Sequence, residues 1–213
     1  MSARAAIAIH NNKLGLIEAV YLHNDGYTEY AGKMLVAHYN TDERARELIA
    51  AGNIDVLDAS LSPNPEQPHE WGKRQPGVSL LFHSSGKYFT DKNAYYVESV
   101  DEFDAEFIYI FTDGKWYVAQ PGKSSSWLEV ESVLAEHERT LENNFQIENR
   151  HLPFVELIER AKRDYKQIVP FTHRPTEDEL NAASALMVKR IGDGFTLKKY
   201  EQLARNFYQL YNM

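Results

Sequence analysis

Between Phe107 and Val118 the chain reads Phe-Ile-Tyr-Ile-Phe-Thr-Asp-Gly-Lys-Trp-Tyr-Val. Aromatic and β-branched residues flank an Asp-Gly pair, the strongest short-range signal for a β-hairpin. A lone hairpin is marginal in water and needs further strands or a covering helix. The rest of the chain must therefore supply a sheet around it.

The first such strands are predicted at the N-terminus. Ala5 to His10 is apolar, Asn11-Asn12-Lys13 offers turn chemistry, and Leu14 to His23 roughly alternates, with Leu16, Val20 and Leu22 on one parity. Asn24-Asp25-Gly26 ends this second hairpin. A helix is predicted over about Thr28–Tyr39, with Thr28 as N-cap and Glu29 in its first turn. A second is predicted over about Asp42–Ala51, capped by Thr41 and closed by Gly52. Residues 59–77 hold Pro63, Pro65, Pro68 and Pro76, and read as one long loop of the kind that is functional or disordered. Val78 to Phe82 reads as a buried strand and Tyr95 to Val97 as another.

From Pro121 the apolar period changes from about two to about 3.6. Ser126 with Glu129 forms a capping-box pattern that opens a helix reaching about Leu141. Pro153, the Thr176–Glu179 pair and Thr196 mark three further starts. The expected architecture is α+β. Residues 1–120 form a small, mostly antiparallel sheet with two helices, and residues 121–213 form an all-helical region of about four helices.

Of the 213 residues 43% are hydrophobic and none is cysteine. Thiolate metal sites, iron–sulfur clusters and cysteine nucleophiles are thereby excluded. No run approaches the ~18 apolar residues of a membrane span, and Met1 to His10 lacks the apolar block of a signal peptide. A cytoplasmic location with no membrane association is the expectation. The net charge of −8 is uneven: the first 120 residues carry 17 acids against 10 Lys and Arg, the remainder 14 against 13. An acidic half repels a phosphate backbone, so direct nucleic-acid binding is not expected, whereas a basic protein, including one that itself binds nucleic acid, fits the field.

The densest polar cluster is His23-Asn24-Asp25-Gly26-Tyr27, followed by Tyr30, Lys33 and His38. A strand end that feeds a helix start is a common place for a site, and His23 with Asp25 has the residue types of an acid–base pair. The same residues are also ordinary turn and packing chemistry. There is no His-Glu-x-x-His motif, phosphate-binding glycine loop or Gly-x-Ser-x-Gly elbow, so no cofactor, metal or catalytic residue is assigned. Glu98, Asp101, Glu102, Asp104 and Glu106 form an acidic run, read as a solvated loop, an edge-protecting strand or a patch imitating phosphates.

Met1-Ser2-Ala3-Arg4, the apolar Ala6 to Ile9, and Val20-Tyr21-Leu22-His23-Asn24-Asp25-Gly26-Tyr27-Thr28-Glu29-Tyr30 with Gly32 and His38-Tyr39 resemble a family of small, uncharacterised phage and prophage proteins. The segments Arg44 to Gly52 and Tyr109 through Gly114 to Tyr117 are similar to it as well. The resemblance implies a setting rather than a reaction: an accessory protein of a phage or mobile element, in the host cytoplasm. Such a protein would bind a host protein and inhibit or redirect it, in host takeover or anti-defence. The alternative is a small enzyme or a nucleotide- or anion-binding protein built on His23, Asp25 and Tyr27.

Overall fold

The N-terminal hairpin forms the middle of the sheet. A computed structural model describes residues 3–11, 15–82 and 86–149, together with Glu156. Strands β1 (Ala5–Asn11) and β2 (Leu16–Asn24) pair antiparallel, with Ala5 opposite Leu22 and Asn11 opposite Leu16. On its other edge β1 runs parallel to β6 (Phe107–Thr112), and β2 runs parallel to β3 (Ile54–Val56). The Asp-Gly hairpin forms as its sequence predicts: β6 pairs antiparallel with β7 (Lys115–Gln120), and Asp113 and Gly114 turn the chain at φ of 52° and 78°. With β4 (Leu80–Leu81) beside β3 and β8 (Ser124–Glu129) beside β7, the strand order is β4-β3-β2-β1-β6-β7-β8. The short β5 (Lys87–Phe89) joins β2 at Ile17–Ala19, on the edge that β3 occupies further along.

A strand covered on both faces reads as a continuous apolar run. Ala5 to Ile9 is such a run and is buried throughout. Odd positions Ala5, Ile7 and Ile9 join Val20, Leu22, Tyr109, Phe111, Trp116 and Val118 under α1 (Lys33–His38), α2 (Asp42–Ala50) and the first turns of α4 (Val130–Asn149). Even positions Ala6 and Ala8 join Ile17, Ala19, Ile108 and Ile110 under α3 (Lys92–Phe103), whose Tyr95 is fully buried. The parallel step from β2 to β3 passes through a π-helical turn (Thr28–Gly32), α1 and α2. Contacts divide the chain into two compact units, Met1–Glu136 and His137–Met213. The sheet and α1–α3 belong to the first unit, and the described part of the second is essentially α4 from His137 onward.

Buried aromatic side chains donate to backbone carbonyls across the core. Tyr109 Oη reaches Gly26 O at 2.8 Å and Tyr95 Oη reaches Tyr109 O at 2.8 Å. Trp116 Nε1 reaches Tyr39 O at 2.9 Å and Tyr39 Oη reaches Asp58 O at 2.6 Å. Burial pushes the Tyr109 and Tyr95 hydroxyls well above the usual phenol range, so both remain neutral donors.

The expected fold class needs correction. The sheet is not small but eight-stranded, and it is mixed, because the β1–β6 and β2–β3 pairings are parallel while the others are antiparallel; the sequence from 121 onward is not all helical. Ser124–Glu129 is strand β8, paired with β7 through Tyr117–Glu129 and Val118–Leu128, and the helix starts only at Val130. The Ser126–Glu129 pattern is thus not a capping box. Tyr95 to Val97, read as a strand, lies inside α3. There Asp91 caps the helix by accepting from Asn93 N and Ala94 N, both at 2.9 Å, and those bonds hold its carboxyl below the usual range. Asp104, left-handed at φ 49°, ends the helix. The helices expected from Pro153, Thr176 and Thr196 lie outside the described residues. Among the described residues, no helix is long and apolar enough to cross a membrane.

Candidate functional site

The Asn24-Asp25-Gly26 turn is fastened on every side. Asn24 Nδ2 donates to Asp55 Oδ1 at 3.0 Å, and Asp25 takes a left-handed φ of 56°. Gly26 N donates to Ala3 O at 2.8 Å, while Gly26 O accepts from Tyr109. A side chain at 26 has no room, because a Cβ there would lie 2.6 Å from the Ala5 Cβ. Tyr27 O then accepts from Tyr30 N and Ala31 N, opening the π-helical turn. Much of the segment's chemistry is therefore the anchoring of β2 to β1, β3 and β6.

The sequence-predicted site residues fall on both sides of the sheet. His23 shares its parity with Ala19 and faces the α3 side, exposed, with Nδ1 3.1 Å from Tyr21 Oη. Tyr27, 37% exposed, lies beside Tyr30 with ring centroids 6.2 Å apart, and Tyr30 Oη donates to Leu57 O at 3.1 Å on the α1 side. Burial raises the Tyr30 hydroxyl, with Asp58 reinforcing it and Arg74 opposing it. Lys33 and His38 are exposed at the two ends of α1. Among the described residues, no group of three or more His, Asp and Glu side chains is placed to hold a metal ion.

The acidic run is not one loop or strand. Glu98, Asp101 and Glu102 stand at helical spacing on the exposed side of α3, Asp104 is at its end, and Glu106 precedes β6. Glu102 pairs with Lys87 and Asp104 with Arg4, so two of the five are neutralised locally.

Loop 59–77 is where the structure adds most. A parallel bridge between Ser60 and Val78 closes its neck, reinforced by Ser60 N to Gly77 O at 3.0 Å and Ser79 N to Ser60 O at 2.8 Å. Buried Ser79 binds Asp58 twice: its hydroxyl accepts from Asp58 N at 2.8 Å and donates to Asp58 O at 3.1 Å. Gln75, buried in the middle, donates from Nε2 to Asn64 O at 2.9 Å and Gln67 O at 3.1 Å, and its Oε1 accepts from Asn64 N at 2.8 Å. His69 bridges the strands of the loop. Its Nδ1 accepts from Gln75 N at 3.2 Å, so the ring proton sits on Nε2 and is donated to Ser79 O at 2.9 Å. Arg74 Nη2 lies 3.6 Å from Asp58 Oδ2 at the base.

These bonds hold up a tip at Trp71, which is 71% exposed and is followed by Gly72 at φ 81°. Four prolines mark the loop in the sequence, but the polar spine of Gln75, His69 and Ser79 is made of contacts across the loop that follow no turn or helical spacing. An apolar side chain on a proline-rich loop is the only sequence signal that could have drawn attention to Trp71.

No protein-family model matches the chain, no curated protein matches it, and no solved structure matches it.

Proposed function

We propose that the protein works by binding another protein, with loop 59–77 as the docking element and Trp71 as the anchor. The observation that carries this is a tryptophan 71% exposed at the tip of a loop whose own backbone is already hydrogen-bonded in place. Tryptophan is among the residues most enriched at interface hot spots. Fixing the loop before encounter also lowers the ordering entropy that binding must overcome. The net charge of −8 favours a basic partner and speeds encounter with it.

Within the setting implied by the phage-protein resemblance, the partner is a host protein, including one that binds nucleic acid, and the outcome is its inhibition or redirection. A small enzyme or anion-binding protein built on His23, Asp25 and Tyr27 is less well supported. His23 faces α3, Asp25 serves the turn, and Tyr27 leans toward Tyr30 on the other side.

The test is affinity purification from host lysate with the wild-type chain and with Trp71→Ala in parallel. Trp71→Ala is expected to lose the partner that the wild type retains, through an affinity loss of about thirtyfold, equivalent to about 2 kcal/mol. Circular dichroism of the two should coincide, since an exposed tip contributes little to the core. Equal recovery of the same partner by both chains would contradict the proposal.

A further inference from the structure

We propose that the aromatic strip Phe82–His23–Tyr21–Phe103 is a second recognition surface, fitted to an arginine-bearing peptide segment. It does not depend on the Trp71 reading.

The strip arises because α3 stops short. Phe103 is its last residue, and the sheet face beyond it, formed by the end of β2, has no helix over it among the described residues. Side chains from three elements fill the gap in a chain of ring contacts. Phe82 lies 6.3 Å from His23, His23 lies 5.9 Å from Tyr21, and Tyr21 lies 5.5 Å from Phe103, centroid to centroid. Phe82 is 42% exposed, His23 is exposed, and Tyr21 and Phe103 are half-buried. A partly exposed run of aromatic rings with carboxylates at its border is the chemistry that recognises an organic cation.

The protein already seats a cation of its own here. Lys87 Nζ lies 5.3 Å from the Phe103 ring centroid while pairing with Glu102. Arg4 sits close by, paired with Asp104, and both charges act on the Tyr21 hydroxyl. Beyond these pairs the Asp55 carboxylate also acts on the Tyr21 hydroxyl and has no ion pair among the described residues. The local excess is therefore negative, and a partner must bring positive charge. Arginine suits the site better than lysine because its planar guanidinium stacks on aromatic faces and is less strongly hydrated.

The test is an NMR titration of the full chain with the blocked peptide Gly-Arg-Gly-Arg-Gly and with the same peptide carrying glutamine for arginine. The arginine peptide is expected to shift the amides of Tyr21, His23, Phe82 and Phe103 in a saturable way. Salt at about 0.5 M should weaken the effect. Phe82→Ala, a change at an exposed ring, should weaken binding roughly fivefold to tenfold. Tyr21→Ala should do the same if its spectrum remains folded, and Trp71→Ala should change nothing, which separates this surface from the loop. Absence of shifts, equal shifts with the glutamine peptide, or unchanged affinity in Phe82→Ala would overturn the proposal.

Discussion

Gly26→Ala is expected to destabilise the protein by about 3 kcal/mol, read from urea unfolding followed by circular dichroism. The glycine is not needed for a left-handed φ, which falls on Asp25 instead. It is needed for approach. The added Cβ would stand 2.6 Å from the Ala5 Cβ and 3.0 Å from both Ala5 N and Arg4 C. Two of those three atoms are backbone at the entry to β1, whose buried stretch Ala5–Ile9 is paired on both edges and cannot swing aside. Any shift of residue 26 also pulls its carbonyl from the Tyr109 hydroxyl and its N–H from Ala3 O, leaving buried groups unpaired. His23→Ala, three residues away at an exposed position, is expected to change stability by less than about 0.5 kcal/mol. A loss at Gly26 below that level would mean that the start of β1 yields.

Trp116→Ala is expected to cost about 4 kcal/mol, the largest single effect, with Trp116→Phe costing about 1–2 kcal/mol. The indole is 3% exposed, lies 5.2 Å from the Phe111 ring and belongs to the cluster under α1 and α2. Alanine leaves a cavity there. Phenylalanine keeps most of the apolar contact and loses only the Nε1 bond to Tyr39 O. The consequence extends to loop 59–77. Tyr39 Oη holds Asp58 O at 2.6 Å, and Asp58 is the residue on which Ser79 and Arg74 close the loop's base. Trp116→Ala should therefore loosen loop 59–77 as well as the core. A change smaller than about 1 kcal/mol for alanine would contradict this packing account.

The parts of the fold written in local sequence were legible. Both hairpins announced themselves through turn residues at Asn11–Lys13 and Asp113-Gly114, and α2 through the Thr41 cap, which accepts from Arg44 N at 3.2 Å. Parallel pairing was not legible, because the match of β1 with β6 joins residues about a hundred positions apart and has no turn to signal it. Helix α3 was hidden by its composition. Tyr95, Tyr96 and Val97 favour strands, and only the Asp91 cap with Tyr95, Ser99 and Phe103 at helical spacing pointed the other way. At β8 the sequence pointed wrongly, since Ser126 and Glu129 imitate a cap while the Tyr117 and Val118 backbone takes the strand instead. The polar cluster around His23 was visible, but its division between the two sides of the sheet depends on parity along β2. Trp71 was signalled only as an apolar residue on a proline-rich loop, and its support was invisible, because Gln75, His69 and Ser79 acquire their roles only when the loop closes.

The proposed docking through Trp71 requires a loop that is fixed before any partner arrives, and amide hydrogen exchange of the free protein tests this most directly. Asn64 N, Gln75 N and Ser79 N donate within the loop and its neck at 2.8, 3.2 and 2.8 Å. Exchange at these three amides is expected to be slowed on the order of a hundredfold or more relative to unstructured chain, and Gln75→Ala should abolish the slowing at Asn64. Exchange at the unstructured rate at all three amides in the wild type would contradict the account, because Trp71 would then hang from a loose tether.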